Sequence, residues 1–506
     1  MKRAGEEAGI VYIVGAGPGD PGLITVRGLE CLQNAEVILY DRLVAPSLPA
    51  MARREARLVD VGKAPGGGMG QEEINRLLYE EASAGKTVCR LKGGDPFLLG
   101  RGSEEAEYLA ERGVRFEIVP GITSALAVPA YAGIPATDRR YSSVVAIATG
   151  HEDPSKTEPA VAWERLALAA DTIIVLMGVG NLRDIASKLM AGGRARDTPA
   201  AAICEGTTPK QKTVVATLAD IADRAQEAGI TPPAIVVVGE VVRLRDALKW
   251  VENRPLFGKT VLVTRPAHQA AELSTLLRQH GADTLEVPVL ELRTLAADAG
   301  SVRSLMAEPF DWVVFTSVNG VHSFVEQLRS AGLDIRALGS ARLAAIGSAT
   351  ARALEGLGLN VSFVPARFTS EHIVAEFPRP LDGKRILMPR AKDAPARLRE
   401  GLENAGARVV EWEAYETAPA RIDSAALAKT IEEGRIQITT FTSGLGVRAL
   451  TGALGKDVLQ KTTVACIGPM TAAAARELGL NVDIVAEEHT VPGLVRAILE
   501  AARRSP

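Results

Sequence analysis

Short apolar runs rich in β-branched residues recur along this chain, separated by stretches in which leucine and alanine return every three to four positions. Val11-Tyr-Ile-Val14 ends in glycines, Val37-Ile-Leu-Tyr40 ends in Asp41, and Thr172-Ile-Ile-Val-Leu-Met177 precedes Asn181-Leu-Arg-Asp-Ile-Ala-Ser-Lys-Leu189. The short runs have the length of buried strands, and the longer spacing is that of amphipathic helices. Their alternation predicts α/β layers with mainly parallel strands. The pattern breaks near Asp246-Ala-Leu-Lys-Trp-Val-Glu-Asn-Arg-Pro255-Leu-Phe, and Gly258-Lys-Thr-Val-Leu-Val-Thr264 begins another. Two units, over 10–245 and 258–503, are therefore expected, with 246–257 as a linker.

The second unit repeats itself. Gly258-Lys-Thr-Val-Leu-Val-Thr-Arg265 matches Gly383-Lys-Arg-Ile-Leu-Met-Pro-Arg390, and Gly281-Ala282 matches Gly406-Ala407. Phe315-Thr316-Ser317-Val-Asn319-Gly320 matches Phe441-Thr442-Ser443-Gly-Leu-Gly446, and Ile346-Gly347 with Thr350 matches Ile467-Gly468 with Thr471. The period is far too long for a solenoid, so two similar α/β lobes with a cleft between them are expected, a common place for a ligand. The equivalences imply that the chain crosses between lobes twice, through Val287-Pro-Val-Leu-Glu-Leu292 and Trp412-Glu-Ala-Tyr-Glu-Thr417. One lobe would hold 258–288 and 419–503, the other 293–411.

Composition narrows the function. A chain of 506 residues exceeds what one core serves. With 24% charged residues and a net charge of -3 it has no global attraction to nucleic acid, and 4% aromatic residues argue against a base-stacking surface. Cys31, Cys89, Cys204 and Cys466 lie far apart without a CxxC, and the histidines lack metal-ligand spacing, so no metal is expected. No apolar run approaches the roughly 20 residues that span a bilayer, and the first residues lack a signal-peptide core, so a cytoplasmic protein is expected.

The loop Gly15-Ala-Gly17-Pro18-Gly19-Asp20 is a candidate ligand site, because glycines at a strand end let backbone N–H groups approach closely. A dinucleotide fingerprint would need glycine where Asp20 stands, and Pro18 and Pro21 stiffen the turn. From the loop itself a nicotinamide or flavin, another nucleotide-like ligand and a structural turn all remain open. Further on come Arg90-Leu-Lys-Gly93-Gly94-Asp95-Pro-Phe-Leu98, Val119-Pro-Gly121-Ile-Thr123-Ser124 and Gly133-Ile-Pro-Ala-Thr-Asp-Arg139-Arg140.

Together with Asp41-Arg42-Leu-Val, Val61-Gly62-Lys63 and Gln71-Glu-Glu-Ile-Asn75, these motifs make residues 10–245 closely resemble the uroporphyrinogen-III C-methyltransferases of the tetrapyrrole methylase family. The resemblance implies two α/β subdomains with S-adenosylmethionine between them, held by Pro18, Gly93, Gly94, Asp95, Leu98, Thr123, Ser124, Met177 and Gly206. It also implies Asp41 as proton acceptor and Lys63 as proton donor at the macrocycle, and a homodimer formed through this unit. Arg42, Arg139 and Arg140 are candidates for substrate carboxylates, which guanidinium forks bind bidentately. Where the family usually has an arginine and a histidine after the lysine, this chain has Ala64-Pro-Gly-Gly-Gly-Met-Gly70.

Residues 258–503 resemble uroporphyrinogen-III synthase, a two-lobed family that needs no cofactor. The resemblance implies that Tyr415 is the donor near a departing hydroxyl; the alternative is an aromatic pairing across a ladder joining the lobes. Thr316, Ser317, Asn319, Thr442, Ser443 and Thr471 fall at predicted strand ends or helix starts, as carboxylate binders or as ordinary N-caps. The expectation is a bifunctional enzyme with small-molecule tetrapyrrole substrates, no nucleic-acid or membrane partner, and a place before sirohaem or cobalamin. Two alternatives are a methyltransferase with a non-catalytic binding unit and a nicotinamide-dependent oxidoreductase.

Overall fold

A computed structural model describes residues 9–62, 69–151, 161–366 and 370–504. The chain divides into two compact units, the first built mainly of residues up to Thr260 and the second mainly of Val261 onward. None of the described helices is long and apolar enough to cross a membrane.

The first unit contains two five-stranded sheets. In the first sheet β1 (Ile10–Gly15), β2 (Val37–Tyr40), β3 (Arg57–Asp60), β4 (Thr87–Lys92) and β5 (Arg115–Val119) lie in the order β3-β2-β4-β1-β5. Every pairing is parallel. A parallel sheet is covered on both faces. Here α1 (Val26–Asn34) packs Cys31 and Leu32 against Val14, Cys89 and Leu91, while α2 (Gln71–Ser83) and α3 (Gly102–Ala110) pack Ile74, Leu78 and Leu109 against Val11, Ile13 and Val88. The start of α1 is fixed by Thr25, whose hydroxyl accepts the Gly28 N–H at 3.0 Å.

The second sheet holds β6 (Val145–Thr149), β7 (Thr172–Leu176), β8 (Pro199–Cys204), β9 (Lys212–Thr217) and β10 (Ala234–Val238), in the order β6-β7-β10-β8-β9. Only β6 and β7 pair in parallel; β10 runs antiparallel to both β7 and β8, and β9 antiparallel to β8. The expectation of mainly parallel strands fails in this sheet; residues 205–211 are too short a link for a parallel crossover, so β9 turns back antiparallel to β8. Ala125 and Val128 of α4 (Ser124–Tyr131) pack on this sheet against Leu176, Ile203 and Ile235.

The stretch 246–257 is folded against the first unit. Trp250 donates its indole N–H to the Ala130 carbonyl at 3.1 Å and meets the Tyr131 ring edge-on at 5.2 Å between centroids. Glu252 pairs with Arg245 and accepts from Gln211 at 3.1 Å and Thr213 at 2.9 Å. Val251 and Leu256 are buried.

The second unit also holds two sheets. Strands β11 (Thr260–Val263), β12 (Asp283–Glu286), β13 (Leu290–Thr294), β14 (Trp312–Phe315), β15 (Arg342–Ala345), β16 (Val361–Phe363), β17 (Arg385–Ala391), β18 (Arg408–Pro419), β19 (Ile438–Phe441), β20 (Thr463–Cys466) and β21 (Ile484–Val485) follow in sequence. One sheet runs β12-β11-β19-β20-β21 and the other β13-β18-β17-β14-β15-β16. Apart from β13 the orders are equivalent under the sequence repeat, β11 matching β17 and β19 matching β14. Each sheet therefore takes its first pair of strands from one repeat and its remaining three from the other. The β13 strand pairs antiparallel with the far end of β18, placing Thr294 opposite Tyr415.

Candidate functional site

The C-terminal ends of β4, β1 and β5 come together in the first unit. Gly17 and Gly94 exchange backbone hydrogen bonds, at 3.3 Å from the Gly17 N–H and 2.8 Å from the Gly94 N–H. A Cβ on Gly15 would stand 2.5 Å from the Gly121 Cα, and one on Gly121 would stand 2.3 Å from the Gly94 carbonyl oxygen, so no larger residue fits either position. Asp95 pins the loops together: its Oδ1 accepts from the N–H groups of Phe97 at 2.8 Å and Leu98 at 3.1 Å, and its Oδ2 from that of Gly121 at 3.0 Å. Only its remaining lone pairs are left for a ligand.

Asp20 joins this edge to the second sheet. Its backbone N–H donates to Thr207 Oγ1 at 3.2 Å, and its Oδ2 accepts from the Tyr131 hydroxyl at 2.9 Å. Burial, then the Asp20 carboxylate, pushes the Tyr131 phenol well above its usual range. Met177 follows β7 and Glu205 follows β8, and both lie beside the start of β10, where Leu176 pairs with Ile235 and Cys204 with Ala234. Gly206 abuts α4, since a Cβ there would stand 2.3 Å from Val128 Cγ1. Thr123 caps α4 by accepting the Ala125 N–H at 3.2 Å, and Ser124 is the first helical residue. The structure thus brings Pro18, Gly93, Gly94, Asp95, Leu98, Thr123, Ser124, Met177 and Gly206 to one set of adjoining loops.

Those loops are strained. Among the described residues, the non-glycine positions with positive φ are Leu99, Arg101, Met177, Glu205 and Thr207, and all lie there. Backbone held in this region costs energy and clusters at ligand sites. Leu43, Phe97, Leu99, Ile122, Leu126 and Met177 are exposed and give the loops apolar surface.

Asp41 follows β2, and Gly62 lies against the next residue, with its would-be Cβ 2.7 Å from the Arg42 nitrogen. Lys63, and residues 64–68 after it, lie outside the described residues. Arg42 is exposed. Arg139 and Arg140 are not brought to the loops: their turn leads into the start of β6, the sheet edge opposite Met177 and Glu205, and Arg140 is paired with Asp138 at 3.0 Å. Sequence reading missed Arg90, Lys92 and Glu105. The Arg90 side chain is 2% exposed and donates to Asp41 Oδ1 at 2.6 Å and to Glu105 Oε1 at 3.1 Å. Lys92 donates to the same Glu105 oxygen at 2.8 Å. Burial lowers the Lys92 pKa, with the Arg90 charge adding to the effect. Burial also works against the Arg90 charge, but Glu105 and Asp41 outweigh it and raise its pKa. The available signal was two basic residues alternating within an otherwise apolar strand.

In the second unit, Ser317 and Ser443 occupy equivalent places after β14 and β19. Each caps a helix, Val318–Ser330 and Gly444–Leu454, with φ near −159° and −157°. Their hydroxyls accept from Gly320 at 3.0 Å and Gly446 at 3.1 Å. Thr316 and Thr442 directly precede them, and Asn319 lies in the first helical turn. Thr471 is buried in the first turn of the helix Pro469–Glu477. Tyr415 is buried, and its hydroxyl lies 3.0 Å from Ser317 Oγ. Its partner across the β13–β18 ladder is Thr294 rather than an aromatic ring. A groove of about 920 Å³ runs along the first connector and the stretch that follows the second, lined by Val287, Pro288, Arg293, Arg421 and Asp423 among others. It includes neither Tyr415 nor the capping serines.

Fold and loops define a two-unit α/β protein, a glycine-loop ligand-binding unit joined to a duplicated two-lobed unit. The family described as Tetrapyrrole (Corrin/Porphyrin) Methylases matches residues 10–222, and Uroporphyrinogen-III synthase HemD matches residues 271–496. A relative from Ruminiclostridium josui named porphyrin biosynthesis protein HemD is 37% identical over 98% of this chain and 98% of its own. The uroporphyrinogen-III C-methyltransferase of Bacillus subtilis is 42% identical over 70% of this chain and 73% of its own. The S-adenosyl-L-methionine-dependent uroporphyrinogen III methyltransferase of Methanosarcina barkeri is 51% identical over 47% of this chain and 94% of its own. The chain belongs to the tetrapyrrole methylase family in its first unit and to the uroporphyrinogen-III synthase family in its second. It is a bifunctional enzyme of tetrapyrrole biosynthesis.

Proposed function

We propose that the second unit closes hydroxymethylbilane to uroporphyrinogen III and that the first unit methylates this product twice, giving precorrin-2. The observation that carries the reading is the presence of both families in one chain, since the product of one reaction is the substrate of the other. When bound, S-adenosylmethionine supplies an electrophilic methyl group. Its fit to this chain rests on the crowded glycines 15 and 121, on Gly94 with its positive φ and open Cβ side, and on the strained loops and their exposed apolar side chains; Pro18, Gly93, Gly94, Asp95, Leu98, Thr123, Ser124, Met177 and Gly206 would hold it.

Asp41 takes the proton that leaves the macrocycle as the new carbon–carbon bond forms, the net loss of one proton per methyl group. Lys63 is the proton donor, and a proton it delivers to one position of the macrocycle is matched by another released to solvent; Arg42 pairs with a substrate carboxylate. In the second unit, Tyr415, oriented by Ser317, donates toward the hydroxyl that departs as water. Carboxylates of the linear substrate meet Thr316, Asn319, Thr442 and Ser443, where helix starts offer backbone N–H groups. Thr471, being buried, supports the helix start beside them. The test is the whole protein with hydroxymethylbilane and S-adenosylmethionine, followed by mass and isomer analysis. Dimethylated type III product is expected, and Asp41→Asn is expected to stop at unmethylated type III isomer. Accumulation of the type I isomer would mean that the second unit does not catalyse closure.

A further inference from the structure

The run Gln71-Glu-Glu-Ile-Asn75 and the alternating cations of Arg90-Leu-Lys92 are left unused by the methyl-transfer reading, and the structure joins them. Val88, Arg90 and Lys92 lie on the face of β4 covered by α2 and α3, because alternate residues of a strand share a face. Arg90 is 2% exposed, Lys92 3% and Glu105 0%. Glu105 Oε1 accepts from Arg90 Nε at 3.1 Å, Lys92 Nζ at 2.8 Å and Gln71 Nε2 at 3.1 Å, while Gln71 also donates to Asn75 Oδ1 at 3.0 Å. From this anchor Arg90 spends its other nitrogens on the Leu39 and Leu91 carbonyls, both at 3.4 Å, and on Asp41 Oδ1 at 2.6 Å.

Two cations and two carboxylates make the cluster electrically balanced with Asp41 ionised. A buried ion network of this kind is weak support for stability, since apolar residues of similar volume usually serve as well or better. Its geometry points elsewhere, to the exposed end. Asp41 keeps 30% of its side chain exposed while its guanidinium partner is buried and fixed. We propose that Arg90 is a positioning residue for Asp41: anchored by Glu105, it takes Oδ1 and fixes Oδ2 as the oxygen that meets the substrate. Gln71 and Asn75 hold the anchor in turn. This inference rests on Asp41 as proton acceptor in methyl transfer.

The experiment uses the full chain with uroporphyrinogen III supplied, and reads kcat, KM and the Kd of S-adenosylhomocysteine for Arg90→Lys, for Lys92→Met/Glu105→Gln and for Asp41→Asn. The double variant removes one charge of each sign, which preserves balance if Arg90→Lys alone fails to fold. Expected is a fall in kcat of about 100-fold for Arg90→Lys, the scale of an ångström-sized misplacement. A smaller fall is expected for the double variant, with KM and Kd within about twofold of the parent in both. An unchanged kcat in either variant that still binds S-adenosylhomocysteine would overturn the positioning role, as would a kcat that falls only in step with binding. Full activity of Asp41→Asn would instead remove the proton-acceptor reading on which the proposal stands.

Discussion

Gly206 has open backbone geometry but no room for a side chain, and the reason lies in α4, far away in sequence. Overpacking Val128 by a methyl group costs about 1–3 kcal/mol. Gly206→Ala is therefore expected to weaken S-adenosylhomocysteine binding about tenfold or more, read by calorimetric titration, while cyclisation by the second unit is unchanged; parental affinity would show that the loop relaxes freely. The glycine itself could be singled out from the motif Glu205-Gly-Thr207, but its neighbour could not, because contact between residues 128 and 206 is made only by packing. Asp95 shows the converse. Its acid was legible as a possible ligand grip, yet both oxygens are engaged by backbone N–H groups that the sequence does not place. Arg90, Lys92 and Glu105 escaped notice because motif reading attends to loops, whereas these side chains are buried behind one.

At the scale of elements, the repeat makes its own internal experiment. Ser317 and Ser443 cap equivalent helices with the same geometry, but only Ser317 also meets the Tyr415 hydroxyl. Ser443→Ala is expected to cost about 1 kcal/mol, the usual worth of such a cap. Ser317→Ala is expected to cost roughly 2 kcal/mol or more, since a buried phenol loses its partner as well. Urea unfolding followed in the second unit checks the difference, and equal losses would mean that the tyrosine contact contributes nothing. The alternation of strands and helices was legible from apolar spacing in the runs that end at Val14, Tyr40 and Met177. The reversed direction of β9 and β10 was not, because an apolar run carries no sign of direction. Nor was the docking of residues 246–257 by Trp250 and Glu252, since their polar and aromatic mixture reads equally well as a tether.

For the whole molecule, two separate sets of cores predict two unfolding events. S-adenosylhomocysteine at about a hundred times its Kd should add about 2.7 kcal/mol to the unit that binds it. Differential scanning calorimetry is expected to show two transitions, with one raised by the ligand and the other unmoved; a single transition shifting as a whole would mean that the units unfold as one. The sequence by itself determined the two units, the internal repeat and the loops worth inspecting, because strand and helix periodicity, glycine placement and motif order are local properties of a chain. The crossing of the chain between lobes was legible as well, from the equivalence of the repeats; only the tertiary structure decided that β13 adds antiparallel to the end of β18, that Met177 and Gly206 meet the loops of the first sheet, and that Arg139 and Arg140 do not. It also decided that Asp41 is held by a buried arginine. These follow from which strand ends share an edge and which charges are forced together out of water, and both depend on residues far apart in sequence packing in three dimensions.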